Sequence, residues 1–580
     1  MRQTKIVGTL GPASNNPETY RKLVEVGLNV TRLNFSHGNH EEHLANINLI
    51  RQVAGEHNVP MAILLDTKGP EIRIKTMEPG TVLQAGDRFI LSSGDFVGNR
   101  QRAAITYDEL YKDVHPESIL LISDGSIVLK VIEVIGQEIH TEVLHGAPLT
   151  TRKGVNAPSV RVNLPAVTEQ DREDIAFGVA HEVDFIAPSF IRKAADVLEI
   201  RKILEDLGAG HIQIISKIEN REGLDNIDEI LQVSDGIMVA RGDLGMEMPM
   251  EEVPVAQKLI IAKCNRAGKT VITATQMLES MTQNPRPTRA EAADVANAII
   301  DGTDAVMLSG EMAAGAYPVE SVAMMAKIAV ATENSLDYAK LLNQQQDLPY
   351  LDSITYAVSR SSVLSAFNLN AKAILTATSS GQTARKIAMH HPKTPIIAGV
   401  TSEAVRRQLS LVRGVQAYIM EESHDLSRLF YNLEIMAKEV GIVQDNDLVV
   451  ITCGVPIGVS GTTNMMKIHS IGEVTLKGVG FGNKSFTGII RFVDDDKSRF
   501  EPGDILYTRG IDETMADMVR QAGAIITQEG GYTSMGAIAG TTFNIPTIVG
   551  VEHVKDLLED GMVTTVDPIV GIVYKGRYDK

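Results

Sequence analysis

Short apolar runs recur along the first 310 residues, and the stretches between them carry apolar residues at helical spacing. There are eight such runs: Lys5–Leu10, Val30–Phe35, Ala62–Thr67, Phe185–Phe190, Gln213–Glu219, Gly236–Arg241, Thr270–Thr275 and Ala305–Gly310. Strands that alternate with helices are typical of a parallel sheet. Eight βα units can close into a barrel, and the first run lacks the glycine-rich turn of a dinucleotide fold. The pattern therefore predicts a (β/α)8 TIM barrel.

The regular spacing breaks once, between the third and fourth runs, where more than a hundred residues intervene. Turn signals such as Glu78-Pro79-Gly80 separate short alternating runs there, and Ile127–Ile135 is one of them. We expect a small inserted β-barrel at 71–167, with the TIM barrel formed by 1–70 and 168–345. An insertion after a barrel strand would overhang the open end of the barrel as a lid.

Two further domains are predicted after the barrel. A second α/β pattern fills 346–472, and a region of β runs and glycines fills 473–580. The candidate strands of the α/β domain are Ala373–Thr378, Ile396–Val400, Val415–Met420 and Leu448–Gly454.

Composition favours a folded, water-soluble protein with small-molecule partners. Hydrophobic residues make up 44% and charged residues 22%, which are ordinary globular values. The net charge of −18 opposes binding to nucleic acids or anionic membranes. Cys264 and Cys453 are isolated, which supports neither a disulfide framework nor a metal knuckle. With no apolar stretch of signal-peptide length, we expect a cytoplasmic protein.

Polar residues close most of the apolar runs, at the end where barrel enzymes carry their catalytic groups. Lys217 and Glu219 alternate on one strand, so both side chains point the same way. Glu219 together with Asp243, from the next strand end, offers two hard carboxylates suited to Mg²⁺. A structural Lys–Glu ion pair is the competing interpretation, and the polar ends of neighbouring strands favour the metal site.

Lys217 near Arg32 and Arg73 would form a positive centre of the kind that a transferring phosphoryl group requires. A Schiff base at Lys217 is the alternative, but adjacent Glu219 favours the charged ammonium. The oxygens of Asn34, Ser36, Asp66 and Thr67 could hold a monovalent cation or form a hydrogen-bonded cap, and composition leaves both open.

Three other segments each allow a functional and a structural interpretation. Arg241-Gly242-Asp243 could bind a carboxylate through backbone N–H groups or form a plain turn. Thr275 and Ser309 could relay a proton or cap helices. The loop Thr376–Ala384 could cradle a phosphate or start a capped helix.

Six motifs together resemble the pyruvate kinase family. They are Thr9-Leu-Gly-Pro-Ala-Ser14, Thr31-Arg-Leu-Asn-Phe-Ser-His-Gly38, Leu65-Asp-Thr-Lys-Gly-Pro-Glu-Ile-Arg73, Ile215-Ser-Lys-Ile-Glu-Asn220, Met238-Val-Ala-Arg-Gly-Asp-Leu-Gly245 and Met307-Leu-Ser-Gly-Glu311. The resemblance implies transfer of phosphate from phosphoenolpyruvate to ADP, giving ATP and pyruvate in glycolysis. It also implies a homotetramer and an effector that is a sugar phosphate or a nucleoside monophosphate.

The resemblance assigns roles residue by residue. It places Mg²⁺ or Mn²⁺ on Glu219 and Asp243, K⁺ on Asn34, Ser36, Asp66 and Thr67, and K⁺ dependence on Glu71. The implied catalytic residues are Lys217, Arg32, Arg73, Thr275 and Ser309. The implied substrate contacts are Arg32, Lys217, Ala240, Arg241, Gly242, Asp243 and Thr275, and the nucleotide contacts are Asn34, His37, Arg73 and Lys153. The implied effector loop is Thr376, Thr378, Ser379, Ser380, Gly381 and Thr383.

The C-terminal region resembles the swivelling phosphohistidine domain of phosphoenolpyruvate-using enzymes, with one departure. Met535 follows Thr533-Ser534 where those domains carry histidine, and a thioether cannot accept a phosphoryl group as imidazole can. We therefore expect a structural or regulatory role. Two alternative interpretations of the whole chain stay open. One is a barrel aldolase or lyase, which would not need ADP, and the other is a metabolite-sensing binding protein.

Overall fold

The computed structural model describes residues 2–158, 160–344, 353–457, 462–472, 475–494 and 496–577. The chain divides into two compact units, Met1–Glu439 with Val450–Lys467, and Val440–Val449 with Ile468–Lys580. The predicted domain boundaries at 345–346 and at residue 473 lie outside the described residues.

The first unit begins with three strands of the predicted barrel. In chain order the elements are β1 (Lys5–Thr9), α1 (Pro17–Glu25), β2 (Val30–Asn34), α2 (His40–His57) and β3 (Ala62–Asp66). Both helices begin at an asparagine, Asn16 or Asn39, whose side chain accepts a hydrogen bond from a backbone N–H of the first turn.

The insertion is a mainly β domain with its own core. Its elements are β4 (Arg88–Ser92), β5 (Arg102–Ala104), α3 (Leu110–Asp113), β6 (Ile119–Ile122), β7 (Ile127–Ile135), β8 (Glu138–His145) and β9 (Val155–Asn156). The sheet order is β5-β4-β8-β7-β6-β9. Arg73 pairs with Gly154 beside β9, and Ile74 pairs with Ile105 beside β5. The segment that enters the insertion thus joins both ends of the sheet, as the predicted small barrel requires. This domain is called the lid below.

The chain then completes the large barrel. The elements are α4 (Glu169–Ala180), β10 (Phe185–Ala187), α5 (Ala194–Asp206), β11 (Gln213–Ile218), α6 (Arg221–Asp225), α7 (Ile227–Val233), β12 (Gly236–Ala240), α8 (Arg241–Glu247), α9 (Val253–Ala267), β13 (Thr270–Ala274), α10 (Arg289–Asp301), β14 (Ala305–Leu308), α11 (Gly310–Ala313) and α12 (Pro318–Ser335). The strands close in the order β1-β14-β13-β12-β11-β10-β3-β2. The predicted eight-stranded barrel is confirmed.

Each barrel strand ends one to three residues before its predicted end. Several of the polar residues at these ends, such as Thr67, Thr275 and Ser309, therefore lie in loops. Two of the loops turn sharply, since Phe190 and Thr275 have positive φ angles of 56° and 66°. Such angles are unfavourable for bulky and β-branched residues, and strain of this kind concentrates at functional sites. The barrel interior below is filled by a buried apolar cluster that includes Leu64, Met238 and Ile272.

The second α/β region continues with α13 (Tyr338–Gln344), α14 (Ile354–Asn368), β15 (Ala373–Ala377), α15 (Gln382–Ala388), β16 (Ile396–Val400), α16 (Glu403–Gln408), β17 (Val415–Ile419), α17 (Leu426–Glu439), β18 (Leu448–Gly454) and β19 (Thr463–Ser470). The sheet order is β17-β16-β15-β18-β19. All four predicted strands are present, and β19 is an additional strand that the sequence pattern did not reveal.

The C-terminal unit is built on an eight-stranded mixed sheet. Its elements are β20 (Thr475–Lys477), β21 (Val479–Phe481), β22 (Phe486–Phe492), β23 (Ile505–Thr508), α18 (Ala516–Gln521), β24 (Ala524–Thr527), α19 (Met535–Phe543), β25 (Thr547–Val549), α20 (Val554–Leu557), β26 (Val563–Asp567) and β27 (Ile572–Lys575), in the order β20-β27-β26-β22-β23-β24-β25-β21. Within the described parts of the chain, we find no helix with the length and apolar character needed to cross a membrane.

Candidate active site

Lys217 lies at the centre of a buried ionic cluster at the open end of the barrel. Its Nζ lies 2.8 Å from Asp66 Oδ1 and 3.0 Å from Glu219 Oε1, and it donates to Ser189 Oγ at 2.7 Å. Burial alone would lower the pKa of Lys217, but the carboxylates of Asp66 and Glu219 raise it above its ordinary value. Lys217 is therefore a fixed positive charge, which opposes a Schiff-base role.

Asp66 links Lys217 to a second cation. Arg32 Nε donates to Asp66 Oδ2 at 2.6 Å, and Arg32 Nη1 donates to Thr9 Oγ1 at 3.0 Å. Burial acts to raise the pKa of Asp66, but Arg32 and Lys217 together hold it below its ordinary value. Strands β1, β2, β3 and β11 thus place two cations, Arg32 and Lys217, around the ionised carboxylate of Asp66.

Glu219 is buried and accepts a hydrogen bond from Phe190 N at 2.7 Å. Burial raises its pKa to about 7, with Lys217 opposing the rise and Asp243 and Asp66 adding to it. Asp66 and Glu219 thus share the two cations Arg32 and Lys217, and Asp243 adds a further negative charge that acts on Glu219. This excess of negative charge is what a divalent cation would relieve, so the donor set fits Mg²⁺ or Mn²⁺.

No group of three or more His, Cys, Asp or Glu side chains that could hold a metal occurs among the described residues. A site with two protein carboxylates agrees with that finding, because Mg²⁺ commonly takes its other ligands from substrate and water.

The residues predicted for K⁺ lie together at the ends of β2 and β3. Asn34 is directly paired with Asp66 in the ladder, and Ser36 and Thr67 follow them. Asn34 Oδ1 accepts from Ser36 N at 3.2 Å, and Thr67 Oγ1 accepts from Ser189 N at 3.3 Å. The cluster therefore offers amide, hydroxyl and carboxylate oxygens, and its internal hydrogen bonds also fit the capping interpretation.

The loop after β13 is locked to the first turn of α8. Gly242 N donates to Thr275 Oγ1 at 2.8 Å, and Arg241 Nη2 donates to Thr275 O at 2.7 Å. Arg241 Nη1 also lies 2.7 Å from Asp294 Oδ2. The Arg241 guanidinium thus helps to fix the backbone of the strained Thr275. Ala240 is buried at the end of β12.

Ser309 carries a buried hydroxyl whose Oγ has no hydrogen-bond partner among the described residues. Its backbone N–H donates to Glu311 Oε2 at 2.8 Å, and Leu278 N donates to Glu311 Oε1 at 3.0 Å. Glu311 therefore positions the loops after β13 and β14 together. A buried hydroxyl without a protein partner marks a place for water or substrate.

A cavity of about 690 Å³ opens between the lid and the barrel. Its lining includes Glu71, Arg73 and Lys153 from the lid side and Asp243 from the barrel. Arg73 Nε donates to Glu71 Oε2 at 2.6 Å, so the two predicted residues act as a pair. Asn34 and the exposed His37, also predicted nucleotide residues, lie outside this lining, at the end of β2 and in the turn that follows it.

The predicted effector loop surrounds a small cavity of about 80 Å³ in the α/β region. Thr378, Ser379, Ser380 and Thr383 line it. Gly381 adopts a positive φ of 79°, and its N–H donates to Thr378 Oγ1 at 3.0 Å. Thr376 is buried away from the cavity.

Two polar residues of the cluster, Thr9 and Ser189, were not predicted. They are the next-to-last residues of the first and fourth apolar runs, and they accept hydrogen bonds from Arg32 and Lys217 respectively. Single hydroxyls at these ends carry little signal by themselves. The rule that every polar strand end faces one site would have found both.

Comparisons with known proteins agree with this geometry. The model of the pyruvate kinase barrel domain matches residues 1–322, more than half of the chain. The chain belongs to the pyruvate kinase family. The pyruvate kinase alpha/beta domain matches 356–469, and the mobile domain of PEP-utilising enzymes matches 500–571.

Similar pyruvate kinases cover the whole chain. The chain is 49% identical over 583 residues to the pyruvate kinase of Bacillus licheniformis, covering 100% of this chain and 99% of that protein. It is 50% identical over 585 residues to that of Geobacillus stearothermophilus, covering 99% of each. A solved pyruvate kinase from Cryptosporidium parvum superposes with a TM-score of 0.78 at 42% identity, over 81% of this chain and 96% of that one.

The chain is therefore a phosphotransferase with the substrates of pyruvate kinases, phosphoenolpyruvate and ADP, and the products ATP and pyruvate. The C-terminal match contains Met535 at the start of α19, where its side chain is 51% exposed. Ser534 caps this helix, since its Oγ accepts from Ala537 N at 3.3 Å.

Proposed function

We propose that the ionic cluster around Lys217 performs the phosphoryl transfer and that the cavity beneath the lid receives the nucleotide. The observation that carries this is the position of Lys217 Nζ, which lies within 3.0 Å of both Asp66 and Glu219. The adjoining cavity of about 690 Å³ has the size of a small-molecule site. Arg73 and Lys153 supply positive charge for the nucleotide phosphates there.

Each group of the cluster has a distinct task. Lys217 and Arg32 stabilise negative charge on the transferring phosphoryl group. Gly242 and Thr275 orient the carboxylate end of the substrate, and Arg241 keeps Thr275 in position. Glu219 and Asp243 would hold Mg²⁺ or Mn²⁺, which supplies Lewis-acid charge at the phosphate oxygens when bound.

A monovalent cation completes this proposal. Asn34, Ser36, Asp66 and Thr67 would hold K⁺, and Glu71, paired with Arg73, goes with K⁺ dependence through the family resemblance.

The final proton reaches the enolate through a hydroxyl, for which Ser309 and Thr275 are the candidates. Ser309 is better supported, because its Oγ lacks a protein partner among the described residues, whereas the Thr275 hydroxyl already donates its proton to Ala274 O at 2.7 Å.

The remaining features are proposed to serve regulation and assembly in a cytoplasmic enzyme with the four predicted domains. The loop at 376–383 would bind a sugar phosphate or a nucleoside monophosphate. Val255 and Leu259, exposed one turn apart on α9, fit a face that is covered in a homotetramer. The C-terminal domain would be structural or regulatory, because Met535 cannot carry a phosphoryl group.

The test is steady-state turnover of phosphoenolpyruvate with ADP, metal and monovalent cation varied independently. We expect pyruvate to form only with ADP and Mg²⁺ or Mn²⁺ present, and activity to be very low when Na⁺ or Tris replaces K⁺. Release of pyruvate without ADP would instead support the lyase alternative. Full activity in Na⁺ alone would remove the K⁺ site from the proposal.

A further inference from the structure

Two side chains face each other across the cavity beneath the lid, and neither has a place in the chemistry above. Asn156 is at the end of lid strand β9, and Glu247 is the last residue of barrel helix α8. Asn156 Nδ2 donates to Glu247 Oε1 at 2.9 Å, and both residues line the cavity. This hydrogen bond joins the lid directly to the helix that begins with Arg241, Gly242 and Asp243.

The lid also approaches α8 closely at a second point. A Cβ placed on Gly125, in the lid turn beside β7, would lie 3.8 Å from Met246 Sδ. Met246 precedes Glu247 on α8, so two separate parts of the lid reach the last turn of this helix. Glu247 also follows Asp243 by four residues, which places both carboxylates on one face of α8.

The first turn of α8 is held without the lid. Gly242 N is bound to Thr275 Oγ1, and Arg241 is bound to Asp294 and to the Thr275 carbonyl. The Asn156–Glu247 hydrogen bond is therefore not required to form the substrate end of the helix. Its effect should fall on the position of the lid instead.

We propose that Asn156 and Glu247 form a latch that holds the lid closed over the bound nucleotide. Both are positioning residues, and the inference rests on the proposed placement of the nucleotide in this cavity. A hydrogen bond from an amide to a partly buried carboxylate is charge assisted, and a single bond of this kind can set the balance between open and closed lids. Closure excludes water from the transferring group.

The experiment is a double-mutant cycle that reverses donor and acceptor. Asn156→Asp sets two carboxylates against each other, so kcat/KM for ADP should fall by about 10-fold to 100-fold, the range of one charge-assisted hydrogen bond. Glu247→Gln retains an accepting oxygen but loses the charge assistance, so its loss in kcat/KM should be much smaller than that of Asn156→Asp. The double variant Asn156→Asp with Glu247→Gln restores the bond in the opposite direction and should recover most of the loss.

Asn163→Asp is the matched control. Asn163 Nδ2 donates to Asp113 Oδ1 at 3.0 Å within the lid, so this variant makes the same chemical change without touching α8. It should leave kcat/KM for ADP unchanged. Hydrogen exchange in ADP-saturated enzyme provides a second readout, and the segment 150–157 should exchange faster only in the single variant Asn156→Asp.

The outcomes separate the latch from the nucleotide site. An unimproved double variant, or an Asn156→Asp variant with a lower KM for ADP, would overturn the latch. If Lys153→Ala still raises the KM for ADP, the nucleotide placement stands although the latch fails. If neither Lys153→Ala nor Asn156→Asp changes that KM, both the latch and the nucleotide placement are wrong. An equal rise in the KM for phosphoenolpyruvate in Asn156→Asp would show that α8 itself is disrupted, and it would also overturn the latch.

Discussion

The open end of the barrel and the effector loop are both candidate phosphate sites, yet they are built from opposite materials. At the barrel, the buried Lys217 and the partly buried Arg32 lie against the carboxylates of Asp66 and Glu219, at distances of 3.0 Å or less. At the loop, hydroxyls surround a cavity of about 80 Å³ whose described lining has no Lys, Arg or His and includes the exposed Glu421 and Glu422.

The barrel site is therefore suited to stabilise charge that develops during a reaction, whereas the loop is suited only to bind a ligand. A transferring phosphoryl group needs fixed positive charge where its negative charge develops. A bound effector needs only enough hydrogen bonds and N–H groups to exceed the cost of ordering it. The barrel site should therefore respond to single substitutions by orders of magnitude, and the loop by small factors.

Replacing Lys217 should have the largest effect. In Lys217→Met the fixed charge is lost and Asp66 and Glu219 lose a partner, so we expect kcat to fall by roughly 10³-fold or more. The same change should lower the free energy of unfolding, by about 3 kcal/mol or more if the buried carboxylates are left uncompensated. Coupled pyruvate assays and chemical denaturation measure the two effects.

Lys217→Arg separates charge from position in that experiment. Arginine keeps the positive charge and should preserve most of the stability, but its planar head cannot occupy the point between Asp66, Glu219 and Ser189. Its kcat should stay far below wild type. If Lys217→Met retained a tenth of the wild-type kcat, the cluster would not be the centre of the chemistry.

The sequence predicted the barrel well because each strand carries its own signal. Each of the eight apolar runs contains one strand of the closed barrel, and polar residues such as Asn34, Asp66 and Lys217 mark the C-terminal ends of the strands. Periodicity is local, so it survives without knowledge of the tertiary structure.

What the sequence could not supply depends on contacts between distant segments. Ser189 is 28 residues from Lys217, and Asn156 is 91 residues from Glu247, so only the folded chain shows that they meet. The strained φ of Thr275 likewise follows from its bonds to Gly242 and Arg241, which local propensity does not encode. The position of Arg73 likewise depends on the folded chain, because the cavity that it lines with Glu71 is formed by residues of both the lid and the barrel.

Ser189 offers a smaller test within the barrel site. Its Oγ accepts from Lys217 Nζ and donates to Thr67 O, so Ser189→Ala should lower kcat by about 10-fold to 100-fold, the value of one hydrogen bond to a charged group. Steady-state assays at saturating substrate measure this effect.

Ser216→Ala is the matched control for Ser189→Ala. Ser216 is equally buried on β11, but its Oγ bonds to Ser234 Oγ at 2.7 Å, apart from the ionic cluster. It should lower stability slightly, by about 1 kcal/mol, and leave kcat near wild type. Equal losses of kcat in the two variants would show that buried hydroxyls act here only through stability.

The effector loop should give the smallest change, and it should be a gain. The carboxylates of Glu421 and Glu422 line the cavity and disfavour a phosphate, so replacing both with glutamine should improve binding. Each charge is exposed and screened, and Arg428 lies 3.7 Å from Glu421, so the concentration of effector for half-maximal activation should fall by only about two- to fivefold. Saturation curves for sugar phosphates and nucleoside monophosphates measure it.

Glu439→Gln is the control for this last variant, since Glu439 is an exposed carboxylate at the end of α17 that does not line the cavity. It should leave the activation curves unchanged while altering the net charge in the same direction. High salt should also reduce the difference between the double variant and wild type, because screening already weakens exposed charges. If no compound of either class activates the wild type or the double variant, the loop is only the capped start of a helix and is not a phosphate site.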